Sequence, residues 1–140
     1  MKLRKITPSF SVKDVLESVE FYQNILGFQL DMCVPEIMDG IDTELEEDVP
    51  YIYAMVSRDE LSFIFIREDH FQYEILNERY CEKGARILCY IDVEDIEGVY
   101  QHLSEKKVEI VKELETTWYG MREFFIKDNN GYLLCFSEQV

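Results

Sequence analysis

Alternating apolar and polar residues near the end of the chain predict a β-hairpin. Apolar side chains fill Phe124 to Ile126 and Leu133 to Phe136, and between them lies the segment Asp128-Asn129-Asn130-Gly131. Asp, Asn and Gly tolerate the positive φ angles of a tight turn, so the two apolar runs are predicted to pair as antiparallel strands. Cys135 lies in the second of these strands, and its place in the fold matters for function.

The same order of elements is found twice along the chain. The segments that begin at Val12 and at Val93 align, so that Asp14 corresponds to Asp95 and Tyr22 to Leu103. Each Asp is suited to cap a helix, and apolar residues at helical spacing follow it. The predicted strands are Lys5 to Val12, Phe28 to Cys33, Tyr51 to Val56 and Leu61 to Ile66 in the first copy, and Arg86 to Val93, Val108 to Lys112 and the hairpin above in the second.

This repeat predicts an α+β fold made of two βαβββ modules, at about residues 1–68 and 84–140, in a single domain of 140 residues. A linker with a short helix is predicted at about residues 69–83. Because one helix covers only one face of a four-stranded sheet, we expect the two modules to cup together into a mixed sheet around a cavity.

Strand alternation predicts which residues line that cavity. In the first strand the bulky Ile6, Pro8, Phe10 and Val12 are predicted to face the helix. The concave side is then predicted to carry Thr7, Ser9, Ser11, Tyr51, Tyr53, Met55, Ser62, Ile64 and Ile66 from the first module, and Arg86, Leu88, Tyr90, Asp92, Leu133, Cys135 and Ser137 from the second.

The charge of the chain limits its partners. The formal net charge is −15, and between Asp14 and Ser57 there are eleven carboxylates and no Lys or Arg. Such a charge repels nucleic acid and favours cationic ligands, although a solvated acidic face serves solubility equally well. No apolar stretch is long enough to span a bilayer, and the four cysteines form no CxxC pair. We therefore expect a cytoplasmic protein with reduced thiols that contacts neither nucleic acid nor a membrane.

Two segments, FSVKDVLESVEFYQNILGFQL and WYGMREFFIKDNNGYLLCFSE, resemble the vicinal oxygen chelate superfamily, which includes glyoxalase I, extradiol dioxygenases and bleomycin-resistance proteins. Metalloenzymes of this superfamily place His, Gln or Glu ligands on the concave side of the sheet. The resemblance puts these ligand positions at Thr7, Ile64, Leu88 and Cys135. None of these side chains is a carboxylate or an imidazole, so we predict no metal site and no cofactor.

Catalytic chemistry has little support in the sequence. His70 and His102 are the only histidines, and neither belongs to a predicted concave strand. A nucleophilic role for Cys135 needs a base or a positive field nearby, and none is predicted. We therefore predict no catalytic residue.

Aromatic rings are the main binding feature of the predicted cavity. Tyr51, Tyr53, Tyr90, Trp118 and Tyr119 lie on or beside it, and a planar or cationic guest gains about 0.5 to 2 kcal/mol per ring contact. The same rings fit a core or a dimer interface equally well. Trp118-Tyr119-Gly120 also resembles the strand entry of bleomycin-resistance proteins, which are metal-free acidic dimers that sequester a cationic drug.

We therefore predict a metal-independent, homodimeric binding protein for a cationic or aromatic small molecule such as an antibiotic. Its ligand-binding residues are predicted to be Thr7, Ser9, Tyr51, Tyr53, Ile64, Leu88, Tyr90, Asp92, Trp118, Tyr119 and Cys135. One alternative is a metal-dependent lyase, isomerase or dioxygenase of the same superfamily, in which Glu138, Asp92 or Glu60 turns inward. A second is a regulatory or interaction module that engages a basic partner through the acidic loop Glu36 to Asp48.

Overall fold

A computed structural model describes residues 2, 4–74 and 88–140. The chain divides into two compact units, Met1–Gly84 and Ala85–Val140. Each unit contains the element order β-α-β-β-β around one four-stranded sheet. This arrangement confirms the α+β fold of two βαβββ modules.

The first unit forms a mixed sheet in which the strand order is β1-β4-β3-β2. β1 runs parallel to β4, and the other neighbours are antiparallel. The elements are β1 (Ser9–Val12), α1 (Val15–Asn24), β2 (Gln29–Pro35), β3 (Tyr51–Arg58), β4 (Leu61–Arg67) and α2 (Glu68–Glu74).

Helix α1 packs its apolar stripe against this sheet. Asp14 caps the helix by accepting a hydrogen bond of 3.0 Å from the backbone N–H of Glu17, as its sequence position predicts. Tyr22 is fully buried, and its ring lies 4.8 Å from that of Phe65 and 5.4 Å from that of Phe28. The predicted helix stripe is therefore confirmed as the core of the first unit.

The second unit repeats this plan, with strand order β5-β8-β7-β6 and β5 parallel to β8. Its elements are β5 (Leu88–Asp92), α3 (Ile96–Ser104), β6 (Glu109–Thr116), β7 (Met121–Lys127) and β8 (Leu133–Gln139). The predicted hairpin is β7 and β8, and its turn includes Gly131 at a φ of 85°.

Helix α3 covers one face of the second sheet. Asp95 caps it by accepting a hydrogen bond of 3.2 Å from the N–H of Gly98, in parallel with Asp14 in the first unit. Tyr100 meets Phe124 edge-on at 5.0 Å, and Phe124 stacks on Phe136 at 5.3 Å. The helix-facing residues of this sheet are buried: Ile91, Phe124, Ile126, Leu134 and Phe136.

The first strand is shorter than predicted. β1 begins at Ser9 rather than Lys5, and Ile6, predicted to face the helix, is 86% exposed. Pro8 has no N–H to donate to the ladder, although its carbonyl accepts one hydrogen bond of 2.9 Å from the N–H of Ile64. The chain therefore leaves the sheet at the proline.

The predicted linker begins with helix α2, which packs on β4 and β1. The rest of that linker, with Cys81 and the predicted strand residue Arg86, lies outside the described residues. Among the helices that the structure describes, none combines the length and apolar content needed to cross a bilayer.

Candidate functional site

The second sheet has an aromatic and polar face opposite α3. The register pairs Leu88 with Leu133, Tyr90 with Cys135 and Asp92 with Ser137, so these six side chains share that face. Tyr90 and Asp92 are exposed, whereas Cys135 is fully buried. Ser137 donates a hydrogen bond of 3.4 Å to the carboxylate of Asp92.

A buried carboxylate lies next to Cys135 on this face. Glu123 of β7 pairs with Ser137 of β8, and only 1% of Glu123 is exposed. Its Oε1 accepts a hydrogen bond of 2.8 Å from the hydroxyl of Tyr119, and its Oε2 lies 3.8 Å from the thiol of Cys135, which donates to it. Sequence reasoning missed Glu123, although alternation along β7 places it on the same face as Phe125.

Lys112 provides the nearby positive charge. Its ammonium lies 3.8 Å from Oε1 of Glu123, 2.8 Å from Glu115 and 5.1 Å above the ring of Phe125. The hydrogen bond to Glu115 raises the pKa of Lys112, so this lysine stays charged. Oε1 of the buried carboxylate thus has a neutral donor, Tyr119, and a cation nearby, whereas Oε2 has the Cys135 thiol as its donor.

The environment of Cys135 makes its thiol unreactive. Burial, followed by the charge of Glu123 and the hydrogen bond to it, raises the pKa of Cys135 to about 12. The hydrogen bond to Glu123 likewise raises the pKa of Tyr119. Because nucleophilic attack requires thiolate, this thiol is not suited to act as a nucleophile at neutral pH.

Two further rings lie in the turn before β7. Thr117 and Gly120 close this turn with a hydrogen bond of 3.2 Å, and Gly120 has a φ of 80°. Trp118 is 94% exposed, and its ring meets that of Tyr119 edge-on at 5.3 Å. Tyr119 therefore links an exposed indole to the buried carboxylate.

The other predicted site residues belong to the first unit. Ser9 and Met55 flank Ile64 in the sheet register, and Tyr53 pairs with Ile66. Burial raises the pKa of Tyr53, which is half-buried. Thr7 precedes β1 and is half-buried.

Tyr51 has a structural contact of its own. The residue is buried, and its hydroxyl accepts a hydrogen bond of 2.8 Å from the N–H of Glu46 in the acidic loop. This contact anchors the loop to β3. The Tyr51 hydroxyl is thus engaged by the protein itself.

The side chains at the ligand positions of the related metalloenzymes do not fit a metal. Cys135 supplies a single thiol, and Thr7, Ile64 and Leu88 supply no nitrogen or carboxylate donor. Among the residues that the structure describes, no group of three or more His, Cys, Asp or Glu side chains is placed to hold an ion.

The alternative ligands Glu138 and Glu60 belong to different units. Glu138 accepts hydrogen bonds of 3.0 and 3.1 Å from the N–H groups of Asp95 and Ile96, so it serves the start of α3. Glu60 is exposed in the turn between β3 and β4 of the first unit. His102 is exposed on α3, and His70 is half-buried on α2.

Comparison with known proteins agrees with the fold described above. A sequence model described as the Glyoxalase/Bleomycin resistance protein/Dioxygenase superfamily matches residues 6–136. The search of curated proteins gave no match.

Solved structures share the architecture at low sequence identity. TioX from Micromonospora sp. ML1 superposes with a TM-score of 0.74 at 15% identity, over 98% of this chain and 99% of that one. A protein of unknown function from Agrobacterium tumefaciens str. C58 gives 0.67 at 21% identity, over 100% and 97%. A glyoxalase/bleomycin resistance protein/dioxygenase from Nocardioides gives 0.68 at 13% identity, over 100% and 87%.

Proposed function

The chain belongs to the glyoxalase/bleomycin resistance protein/dioxygenase superfamily, and on this premise we propose that it is a metal-independent protein that binds and sequesters a small cationic or aromatic compound. The observation that carries the proposal is the face of the second sheet on which exposed Tyr90 and Asp92 lie beside the Tyr119–Glu123 pair. An antibiotic is one compound of this class.

The rings of this face supply the binding area. Tyr90 and Asp92 are two positions apart on β5, so their side chains point to the same face about 7 Å apart. A planar cation stacked on Tyr90 has its charge within reach of the Asp92 carboxylate. Ring contacts of this kind contribute about 0.5 to 2 kcal/mol each.

Glu123 is buried on the same face and holds Tyr119 in place. Its hydrogen bond with Tyr119 fixes the tyrosine ring, and Trp118 packs edge-on against that ring. A ring that is held before binding loses little conformational entropy when a ligand arrives. The net charge of −15 also attracts a cation and repels an anion during encounter.

The donor set supports binding without a metal. Of the four positions that hold metal ligands in the related metalloenzymes, Cys135 alone offers a sulfur, and none offers a nitrogen or a carboxylate. A ligand on this face is therefore held by rings and by the Asp92 carboxylate, and it leaves chemically unchanged.

The test compares a planar cation with a neutral ring compound on chelator-treated protein. Acridine orange is titrated by fluorescence, with neutral acridine as the matched probe. We expect acridine orange to bind more tightly than acridine. Asp92→Asn is expected to reduce the affinity for acridine orange by about tenfold, and Tyr90→Leu is expected to reduce the affinity for both probes. Glu105→Gln, which removes an exposed charge beyond the end of α3, is the control and leaves binding unchanged.

Two results would reject the proposal. One is a tightly held metal at near-stoichiometric level whose removal abolishes binding or reveals a catalytic activity. The other is equal binding of both probes by wild-type protein and by both variants.

A further inference from the structure

The loop between β2 and β3 exposes a set of apolar side chains that no binding role above explains. Ile37, Met38 and Ile41 are 75%, 64% and 69% exposed, and they lie within five consecutive residues. Large side chains in water cost free energy in proportion to their apolar area, so a concentration of them marks an interaction surface. We call these three residues the apolar tip.

The loop that carries the apolar tip is fixed to the first unit. Cys33 and Asp42 exchange two backbone hydrogen bonds of 2.8 Å, and the N–H of Glu36 donates to Pro50 at 2.8 Å. The N–H of Met38 donates to Pro35 at 2.9 Å, which closes a turn under the tip. A surface held in this way is preorganised, so a partner pays little entropy to order it.

A depression lies beside the apolar tip. It has a volume of about 350 Å³, and Met38 forms part of its wall. Ile52 supplies buried apolar surface, and Arg67 lies between the carboxylates of Glu36 and Asp69 at 3.4 and 2.7 Å. The tip and this depression together give a partner side chain both a ridge and a recess to pack against.

The charge around the tip decides what kind of partner fits. Residues 36–48 carry seven carboxylates and no Lys or Arg. A second copy of the chain brings the same negative loop, and nucleic acid or an anionic membrane brings negative phosphate, so all three are repelled. A cationic partner with apolar side chains satisfies both the charge and the exposed apolar area.

We propose that this loop docks a cationic amphipathic segment of a partner protein, with the partner's apolar side chains on Ile37, Met38 and Ile41 and its Lys or Arg side chains among the loop carboxylates. This surface belongs to the first unit, whereas the proposed ligand face belongs to the second. The docking inference therefore stands or falls independently of small-molecule binding.

The probe is a fluorescent synthetic helix of about 16 residues that carries Leu on one face and Lys on the other. A second peptide keeps every Lys and replaces Leu with Ser. Fluorescence anisotropy with the full chain is expected to show binding of the Leu/Lys peptide that weakens with salt, and at least about tenfold weaker binding of the Ser/Lys peptide.

Variants locate the site on the loop. Ile37→Ser, Met38→Ser and Ile41→Ser together are expected to reduce affinity for the Leu/Lys peptide by at least about tenfold. Val111→Ser, which alters an exposed apolar residue of the second unit, is the control and retains binding. A second triple variant keeps the apolar tip and removes three loop charges: Glu44→Gln, Glu46→Gln and Glu47→Gln. It is expected to reduce the affinity for the Leu/Lys peptide chiefly at low salt. Thermal melts confirm that each variant folds.

Four outcomes would overturn the proposal. Equal binding of the Leu/Lys and Ser/Lys peptides means that charge alone attracts them. Unchanged binding by the triple Ser variant places the peptide elsewhere. If wild-type protein dimerises in sedimentation equilibrium and the triple Ser variant does not, the tip is an interface between two copies of the chain. If wild-type protein binds phosphatidylcholine vesicles and the triple Ser variant does not, the tip is a membrane contact.

Discussion

The hydroxyl of Tyr119 donates a hydrogen bond of 2.8 Å to Oε1 of Glu123, a carboxylate of which only 1% is exposed. Tyr119 itself is half exposed, so a single side chain connects a buried charge to the surface. A buried carboxylate that loses a donor pays a desolvation cost, which ties the position of the Tyr119 ring to the stability of the second unit.

Replacing Tyr119 with Phe is expected to lower the free energy of unfolding by about 1 to 3 kcal/mol, because the buried Glu123 loses a hydrogen bond to a charged acceptor. Urea denaturation followed by circular dichroism measures this loss. Tyr90→Phe removes a hydroxyl from an exposed ring on the same face and is the control, with an expected change below about 0.5 kcal/mol. Equal losses in the two variants would contradict the role assigned to Tyr119.

Much of the fold is predictable because it depends on local signals. Asp14 and Asp95 each precede an apolar helical stripe, and both accept the N–H three residues on. The turn at Asp128 to Gly131 uses residues suited to positive φ, and Gly131 adopts it. The start of β1 was predicted too early because apolar alternation continues through Pro8, whereas the ladder depends on backbone donors that proline lacks.

The candidate site was only partly predictable. Alternation placed Tyr90 and Cys135 on one face, and the register agrees. Glu123 was missed because the charges of β7 were not assigned to a face. Lys112 was not predictable by alternation, since register shifts on both sides of it break the two-residue period of β6.

The Cys135 thiol gives the second unit a stability that declines at high pH. Its pKa is raised from 9.0 to about 12, so between these values the unfolded state loses the proton while the native state keeps it. The native state then binds more protons, and the free energy of unfolding falls by up to about 1.4 kcal/mol for each pH unit. This contribution is intact below pH 9.0 and disappears as pH rises towards about 12.

Urea denaturation of wild type and Cys135→Ala across this range isolates the effect. We expect the difference in free energy of unfolding between wild type and Cys135→Ala to decrease as pH rises. Only wild type has the Cys135 thiol, whose proton is lost from the unfolded state at a lower pH than from the native state. Cys89→Ala, which removes a half-buried thiol of the same unit, is the comparison. Rapid alkylation of native Cys135 at neutral pH would show that its thiol is neither buried nor protonated as described.

Glu138 is expected to stabilise the second unit through the start of α3. Its two carboxylate oxygens accept from Asp95 and Ile96, and Asp95 adopts a left-handed φ of 57°. Glu138→Ala leaves two N–H groups without this acceptor, so the free energy of unfolding is expected to fall by about 1 to 2 kcal/mol. Gln139→Ala, at the exposed neighbouring position, is the control. If both variants unfold at the same temperature as wild type, Glu138 does not stabilise the start of α3.

Gly27 ends the first helical segment in a conformation that disfavours a side chain. Its φ is 71°, and a Cβ built there lies 2.5 Å from Nη1 of Arg58, whose guanidinium donates to the carbonyl of Leu26. Gly27→Ala is expected to cost about 1 to 2 kcal/mol, because alanine is strained at this φ and the Arg58 contact must shift.

Gly40 offers a matched control for Gly27, since a Cβ at Gly40 meets no atom within 4 Å. Gly40→Ala is expected to be neutral or slightly stabilising. Measuring Gly27→Ala again in an Arg58→Ala background separates the two causes, because removing the guanidinium relieves the contact but leaves the backbone strain. Equal stability of Gly27→Ala and Gly40→Ala would mean that the chain accepts a side chain at Gly27 and that the described turn is wrong.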